Sequence, residues 1–133
     1  MVETISMDQQ YRESVFYLLY AMALIDNRVV KVEVDLFFAI VENFLRKINY
    51  VDTLTAKAII SSWFIQNYKI VMQDMKSSLK ESHLLGYVDN LKNYEHRNEV
   101  YTMMKKIAMV DNEFHEDERV LLEKVSEIWG LEL

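Results

Sequence analysis

The chain has 133 residues, 51% of them hydrophobic, with no proline, no cysteine, two glycines and a formal net charge of −6. That length suits one domain, the scarcity of turn-forming residues points away from a strand-rich fold, and the missing cysteines exclude disulfides, thiol catalysis and cysteine-ligated metal centres. The 15 Lys and Arg are scattered, densest at Arg46-Lys47 and Lys105-Lys106, and form no basic stripe interleaved with aromatics, so nucleic-acid binding is not expected.

An acidic surface repels anionic headgroups and favours cations or basic protein patches. The opening MVETISMDQQ has no basic start or apolar stretch, so no signal peptide is expected, and the absence of cysteine fits a reducing cytoplasm. The longest apolar run, Val15 to Ile25, falls short of the roughly 20 residues that a bilayer requires. It predicts instead a helix buried on most sides.

In chain order, Ser6 and Asp8 suit a helix start, and apolar residues spaced at three and four carry that helix from about 8 to Ile25. Asp26-Asn27-Arg28 breaks it. A second helix spans about 32–47, with Leu36, Phe37, Ile40, Val41, Phe44 and Leu45 on one face and Arg46-Lys47 at its negative end. In the middle segment, 52–92, Asp52 or Thr53 caps either one long helix to Lys76 or two shorter ones meeting near Ser61-Ser62. Ser77-Ser78 offers a new N-cap for a helix carrying Leu79, Leu84, Leu85, Val88 and Leu91, with Gly86 marking a kink or close packing. A helix from Glu95 to Val110 carries Val100, Met103, Met104, Ile107 and Met109. After Asp111-Asn112-Glu113 a last helix, about 117–129, turns Val120, Leu121, Val125 and Ile128 inward, and Gly130 is placed to end it in the left-handed conformation.

Two segments repeat. AMALIDNRVVKVEVDLF, Ala21 to Phe37, aligns without a gap to KIAMVDNEFHEDERVLL, Lys106 to Leu122, at a constant offset of 85 residues. The offset pairs Ala23 with Ala108, Asp26 with Asp111, Asn27 with Asn112, Val29 with Phe114, Glu33 with Glu118 and, upstream, Arg12 with Arg97. Each part has a structural use. The Ala permits close packing, Asn accepts the left-handed conformation that stops a helix, Asp fixes the turn, the apolar loop residue plugs the core, and Glu favours the positive end of the next helix.

At these residues the chain resembles the tellurite-resistance protein B family, the TerB-like domains. That family carries a repeated helical hairpin with an Asp-Gly turn, an apolar residue and a Glu at matching spacing. Asn27 and Asn112 stand here where glycine is usual, the first loop has Val30-Lys31 rather than a Ser/Thr cap, and the middle segment offers no matching motif. The resemblance implies a single all-α bundle of six or seven helices over 1–133, with hairpin repeats at about 8–47 and 95–130. It also implies a non-catalytic cytoplasmic module of stress-response systems acting at the inner face of the bacterial membrane, reached through partners. Acidic loop residues proposed to hold metal in the family would correspond here to Asp26 and Glu33, and to Asp111 and Glu118.

The residues themselves weigh on that metal expectation. Asp111, Glu113, Glu116, Asp117 and Glu118 crowd five carboxylates into eight positions, the oxygen-rich chemistry that Ca²⁺ or Mg²⁺ prefers. The segment is too short for an EF-hand, and Arg28 and Lys31 partly neutralise the first loop. A divalent cation at Asp26, Glu33, Asp111, Glu113 and Glu118 is therefore the rival to an acidic helix start, with His115 as a nitrogen donor. His83, His96 and His115 complete no E-x-x-H or H-E-x-x-H pattern. There is no nucleophile elbow or phosphate-cradling glycine loop, so no enzyme, catalytic residue or resident cofactor is expected; a hydrolase would need a site assembled from distant residues. Trp63, Phe64, Ile65, Tyr68, Ile70 and Val71 are apolar on more than one face, which predicts central burial or a surface for a protein partner or a second copy.

Overall fold

The computed structural model describes residues 7–25, 31–48, 51–110 and 115–131. Within them lie α1 (Met7–Leu24), α2 (Lys31–Ile48), α3 (Thr53–Lys76), α4 (Lys80–Asn90), α5 (Arg97–Met109) and α6 (Glu116–Trp129), and no strand. This is the all-α bundle expected, with six helices. The two Asp-Asn breaks, at 26–28 and 111–113, lie outside the described residues.

The apolar run dictates the architecture. A helix without a polar face has no side to offer water, and every residue from Val15 to Ile25 is at most 4% exposed. α1 is accordingly the central element, packed against α2, α3, α4 and α5, while α6 packs on α5 and α4. Ridge by ridge, α1 meets different neighbours through its rings. Phe16 and Tyr20 sit edge-on to Trp63 of α3 at 5.6 and 6.3 Å, and Tyr20 also meets Phe37 of α2 at 5.3 Å. Tyr17, a turn face away, stacks on Tyr87 of α4 at 3.8 Å.

The middle segment resolves as one long helix. Asp52 Oδ1 accepts the Thr55 N–H at 2.7 Å and caps α3, which continues unbroken through Ser61 and Ser62, both exposed. Ser77 and Ser78 belong to the link after α3: Leu79 is the N-cap of α4, and Ser77 Oγ accepts its N–H at 3.0 Å. Gly86 lies inside α4 with no close neighbour, since a Cβ there would meet nothing within 4 Å; the close packing expected of it is absent. α5 begins at Arg97 rather than Glu95, because Tyr94 and Arg97 donate into turns that precede it. Three residues read from sequence as apolar positions of their helices are exposed: Leu79 is 60% exposed, Met109 52% and Ile128 41%. Helical spacing places them on the apolar side of their own helices, but no neighbouring helix covers them there.

The repeat is visible in the burial as well as the sequence. At the same offset Val15 and Val100, Leu19 and Met104, Met22 and Ile107, and Ala23 and Ala108 are all fully buried. The second hairpin closes as expected. Gly130 has φ 68°, and Leu131 donates to the Ser126 carbonyl at 2.9 Å while packing on the core. Arg97 donates from Nε to the Trp129 carbonyl at 3.2 Å, satisfying an end of α6, and Trp129 Nε1 donates to the Val88 carbonyl at 2.8 Å, joining α6 to α4.

Two methionines test this layout. Met22 is fully buried in α1, so Met22→Ala lowers the unfolding free energy by about 2–5 kcal/mol. Met109→Ala, at a half-exposed site, changes it by no more than about 0.5 kcal/mol. Urea titration of both variants checks this, and equal losses would contradict it.

Candidate functional site

Three places bring chemical groups together: the ends of the two repeated hairpins, a cluster between α1, α3 and α4, and a groove between α2 and α5.

At the hairpin ends, Asp26, Asp111 and Glu113 lie outside the described residues. Glu33 and Glu118 occupy the first turns of α2 and α6, as expected, but both are 1% exposed rather than solvated. Glu118 Oε1 accepts the backbone N–H of His115 at 3.2 Å, the return half of a capping box in which His115 is the N-cap. Among the described residues no three His, Asp or Glu side chains are grouped to hold a metal ion. What the structure does bring here is a lysine. Lys80 Nζ donates to the carbonyl of Ile25, the last described residue of the first hairpin's leading helix, at 2.9 Å. The same ammonium lies 3.5 Å from Asp117 Oδ2, in the first turn of α6. Lys80 thus joins the two hairpins from the start of α4, and Lys124 pairs with Glu81 one residue further on. The separations in sequence, 55 and 37 residues, leave no local pattern by which Lys80 could be read in advance.

In the second cluster Tyr17 Oη donates to Asp74 Oδ2 at 2.6 Å, and His83 Nε2 stands 3.7 Å from the other carboxylate oxygen. A hydroxyl, a carboxylate and an imidazole side by side invite a catalytic reading. The energetics run the other way. Burial, and then the hydrogen bond to Asp74, push the Tyr17 phenol well above its ordinary range, so its proton is held. A nucleophile or base needs the opposite shift.

The groove lies between the C-terminal half of α2 and the length of α5, with a volume of about 350 Å³. Ile40, Phe44, Ile48 and Met103 form its apolar floor. Its rim is polar: Asn43 and Lys47 from α2, Asn98, Glu99, Thr102 and Lys106 from α5. Thr102 returns its hydroxyl to the Asn98 carbonyl at 3.1 Å, so that donor is satisfied within α5. A second depression shares Asn43 and Lys47 and continues past the end of α2 to Arg46, Val51, Asp52 and Thr53. Arg46-Lys47 and Lys105-Lys106 are separate basic pairs in the sequence; the fold places one member of each on the same rim.

The family model described as tellurite resistance protein TerB matches residues 12–132, nearly the whole chain. The chain belongs to the TerB family. No curated protein and no solved structure was found to match it. The two repeated segments lie in the helix pairs α1–α2 and α5–α6, and Lys80 contacts Ile25 of the first and Asp117 of the second.

The Tyr17 contact has a consequence for pH. At neutral pH Tyr17→Phe removes a hydrogen bond to a charged acceptor and lowers stability by about 1.5–3 kcal/mol. The folded chain holds this proton, while the unfolded chain releases it near pH 10, so the contribution is complete below about pH 10 and stability falls as pH rises beyond it. Burial raises Tyr20, Tyr87 and Tyr101 in the same direction. Urea unfolding from about pH 8 to pH 11 shows the wild type losing stability more steeply than Tyr17→Phe, so that the gap narrows. Parallel curves would contradict this assignment.

Proposed function

We propose that this TerB-family chain is a non-catalytic binding module that engages a protein through the groove between α2 and α5. The observation that carries the reading is an apolar floor left open beside uncompensated lysines. Lys47 and Lys106, like Lys69, Lys76 and Lys105, make no ion pair among the described residues; what distinguishes Lys47 and Lys106 is that they line the same apolar groove from its two walls. In a chain with 21 acidic and 15 basic residues, partners for two more lysines are plentiful. Desolvating an apolar groove is favourable for a ligand, and a charged rim then selects among ligands.

Other features support binding over chemistry. Burial and the hydrogen bond to Asp74 keep the Tyr17 phenol neutral. The chain has no cysteine and hence no thiol to meet a tellurium oxyanion. No helix among the described residues is long and apolar enough to cross a membrane. We place the module in the cytoplasm, with any approach to the inner membrane made through its partner. The rival reading, a metal sensor built on the acidic segment 111–118, would require Glu118 to leave its capping bond and would set a cation beside the Lys80 ammonium.

A photo-crosslinking residue at Thr102, on the exposed rim, tests the module in cells that express the chain. The expected result is a discrete crosslinked protein, identified by mass spectrometry and lost when Lys47→Glu and Lys106→Glu are combined. A control position at exposed Gln73 on α3 gives no such product. Identical patterns at both positions, or none at Thr102, would overturn the reading, and a product containing this chain alone would reassign the groove to self-association.

A further inference from the structure

We infer that the occupant of the α2–α5 groove is an acidic amphipathic helix of a partner protein; this deepens, and rests on, the binding-module reading. Three properties of the groove select that occupant over others.

The first is its shape. The lining residues run from Ile40 to Ile48 on one wall and from Asn98 to Lys106 on the other. Each wall is about 12 Å long at the rise of an α-helix. The anchors of a docked helix, at positions i, i+3 or i+4, and i+7, extend about 10 Å and match that length. An open trough bounded by two helices also continues the packing by which helices already meet in this bundle.

The second is its charge. Lys47 and Lys106 rise from opposite walls, and Arg46 extends the basic rim into the adjoining depression. None of the three has an ion pair among the described residues. The carboxylate on the rim, Glu99, has His96 Nδ1 at 3.9 Å, so an approaching ligand meets it beside an imidazole rather than alone. Lys47 and Lys106 lie in the last turns of their helices, where a cation also offsets the helix dipole. That local role affects stability and leaves ligand preference untouched, which separates the two in an experiment.

The third is its place on an acidic chain. A net charge of −6 repels polyanions at distance, and two facing lysines do not make the extended track that a nucleic-acid backbone needs. A concave trough does not lie flat on anionic lipid. A short helix carrying a few carboxylates around an apolar stripe satisfies both the floor and the rim.

Three-turn stapled peptides with one shared Leu/Phe face, and Glu, Gln or Lys at the flanking positions, test this by fluorescence anisotropy against the full chain. The expected order is Glu, then Gln, then Lys, with the Glu peptide bound about tenfold more tightly than the Lys peptide and the difference shrinking as salt is added. Amide shifts on titration map to α2 and α5. Lys47→Glu combined with Lys106→Glu reverses the order, and Thr102→Trp, which fills the trough from an exposed site, abolishes binding while melting curves show both variants folded. Equal affinity for the three peptides, no saturable binding by any of them, or shifts elsewhere on the surface would overturn the inference. Sodium decanoate saturating the groove when every peptide fails would overturn it in favour of a small anionic amphiphile. Peptide failure together with Thr102 crosslinks to a protein would remove the helix while leaving the module reading intact; failure of both removes the module as well.

Discussion

Enclosing α1 is the constraint on which the rest of the structure depends. Eleven consecutive residues with no charged side chain, Val15 to Ile25, polar only at the Tyr17 and Tyr20 hydroxyls, gain free energy wherever their apolar surface leaves water, and a helix presents them in all directions. One or two neighbours would leave part of that surface wet. Four helices surround it: the Phe16–Tyr20 row meets α3 and, through Tyr20, α2, while Tyr17 meets α4. The peripheral helices can then be amphipathic, and the polar surface of the bundle is theirs.

The polar devices act at the ends of helices, where backbone groups have no partner within the helix. Asp52 caps α3, Glu118 and His115 cap α6, Arg97 takes the Trp129 carbonyl, and Gly130 turns the chain over the end of α6. Lys80 adds a tertiary device to these local ones, since it reaches both hairpins from a third element. Glu118 thus has a use that does not require a ligand. Its burial is deeper than a dipole effect alone would call for, and burial is what makes a carboxylate depend on hydrogen bonds in place of water. Within the second acidic segment, Asp117 meets Lys80 and Glu118 caps α6, so its described part lies where α4 meets the start of α6.

Local signals were legible and non-local ones were not. The apolar run announced a buried helix, Gly130 announced its turn, and the paired motifs announced both the hairpins and the family. Ser61-Ser62 left α3 undecided because two serines neither break a helix nor demand one. Met109 and Ile128 were misplaced because periodicity gives a face, whereas burial needs a neighbour to cover it. Lys80 could not be found, since its partners are set by the packing of α4. The groove was half visible: both basic pairs stood out in the sequence, but the register of α2 on α5 decides that Lys47 and Lys106 share a rim. The middle segment, with no matching motif, supplied most of what sequence reading missed.

Native-state hydrogen exchange tests the account at its centre. If α1 is the element that all others enclose, the amides of residues 15–24 exchange only when the whole chain unfolds, with a free energy equal to that measured by denaturant titration. The ends of α4 and α6 then open at lower cost. Exchange of α1 through local opening, while α5 and α6 remain protected, would contradict the account, because it would show a bundle that holds together without its central helix.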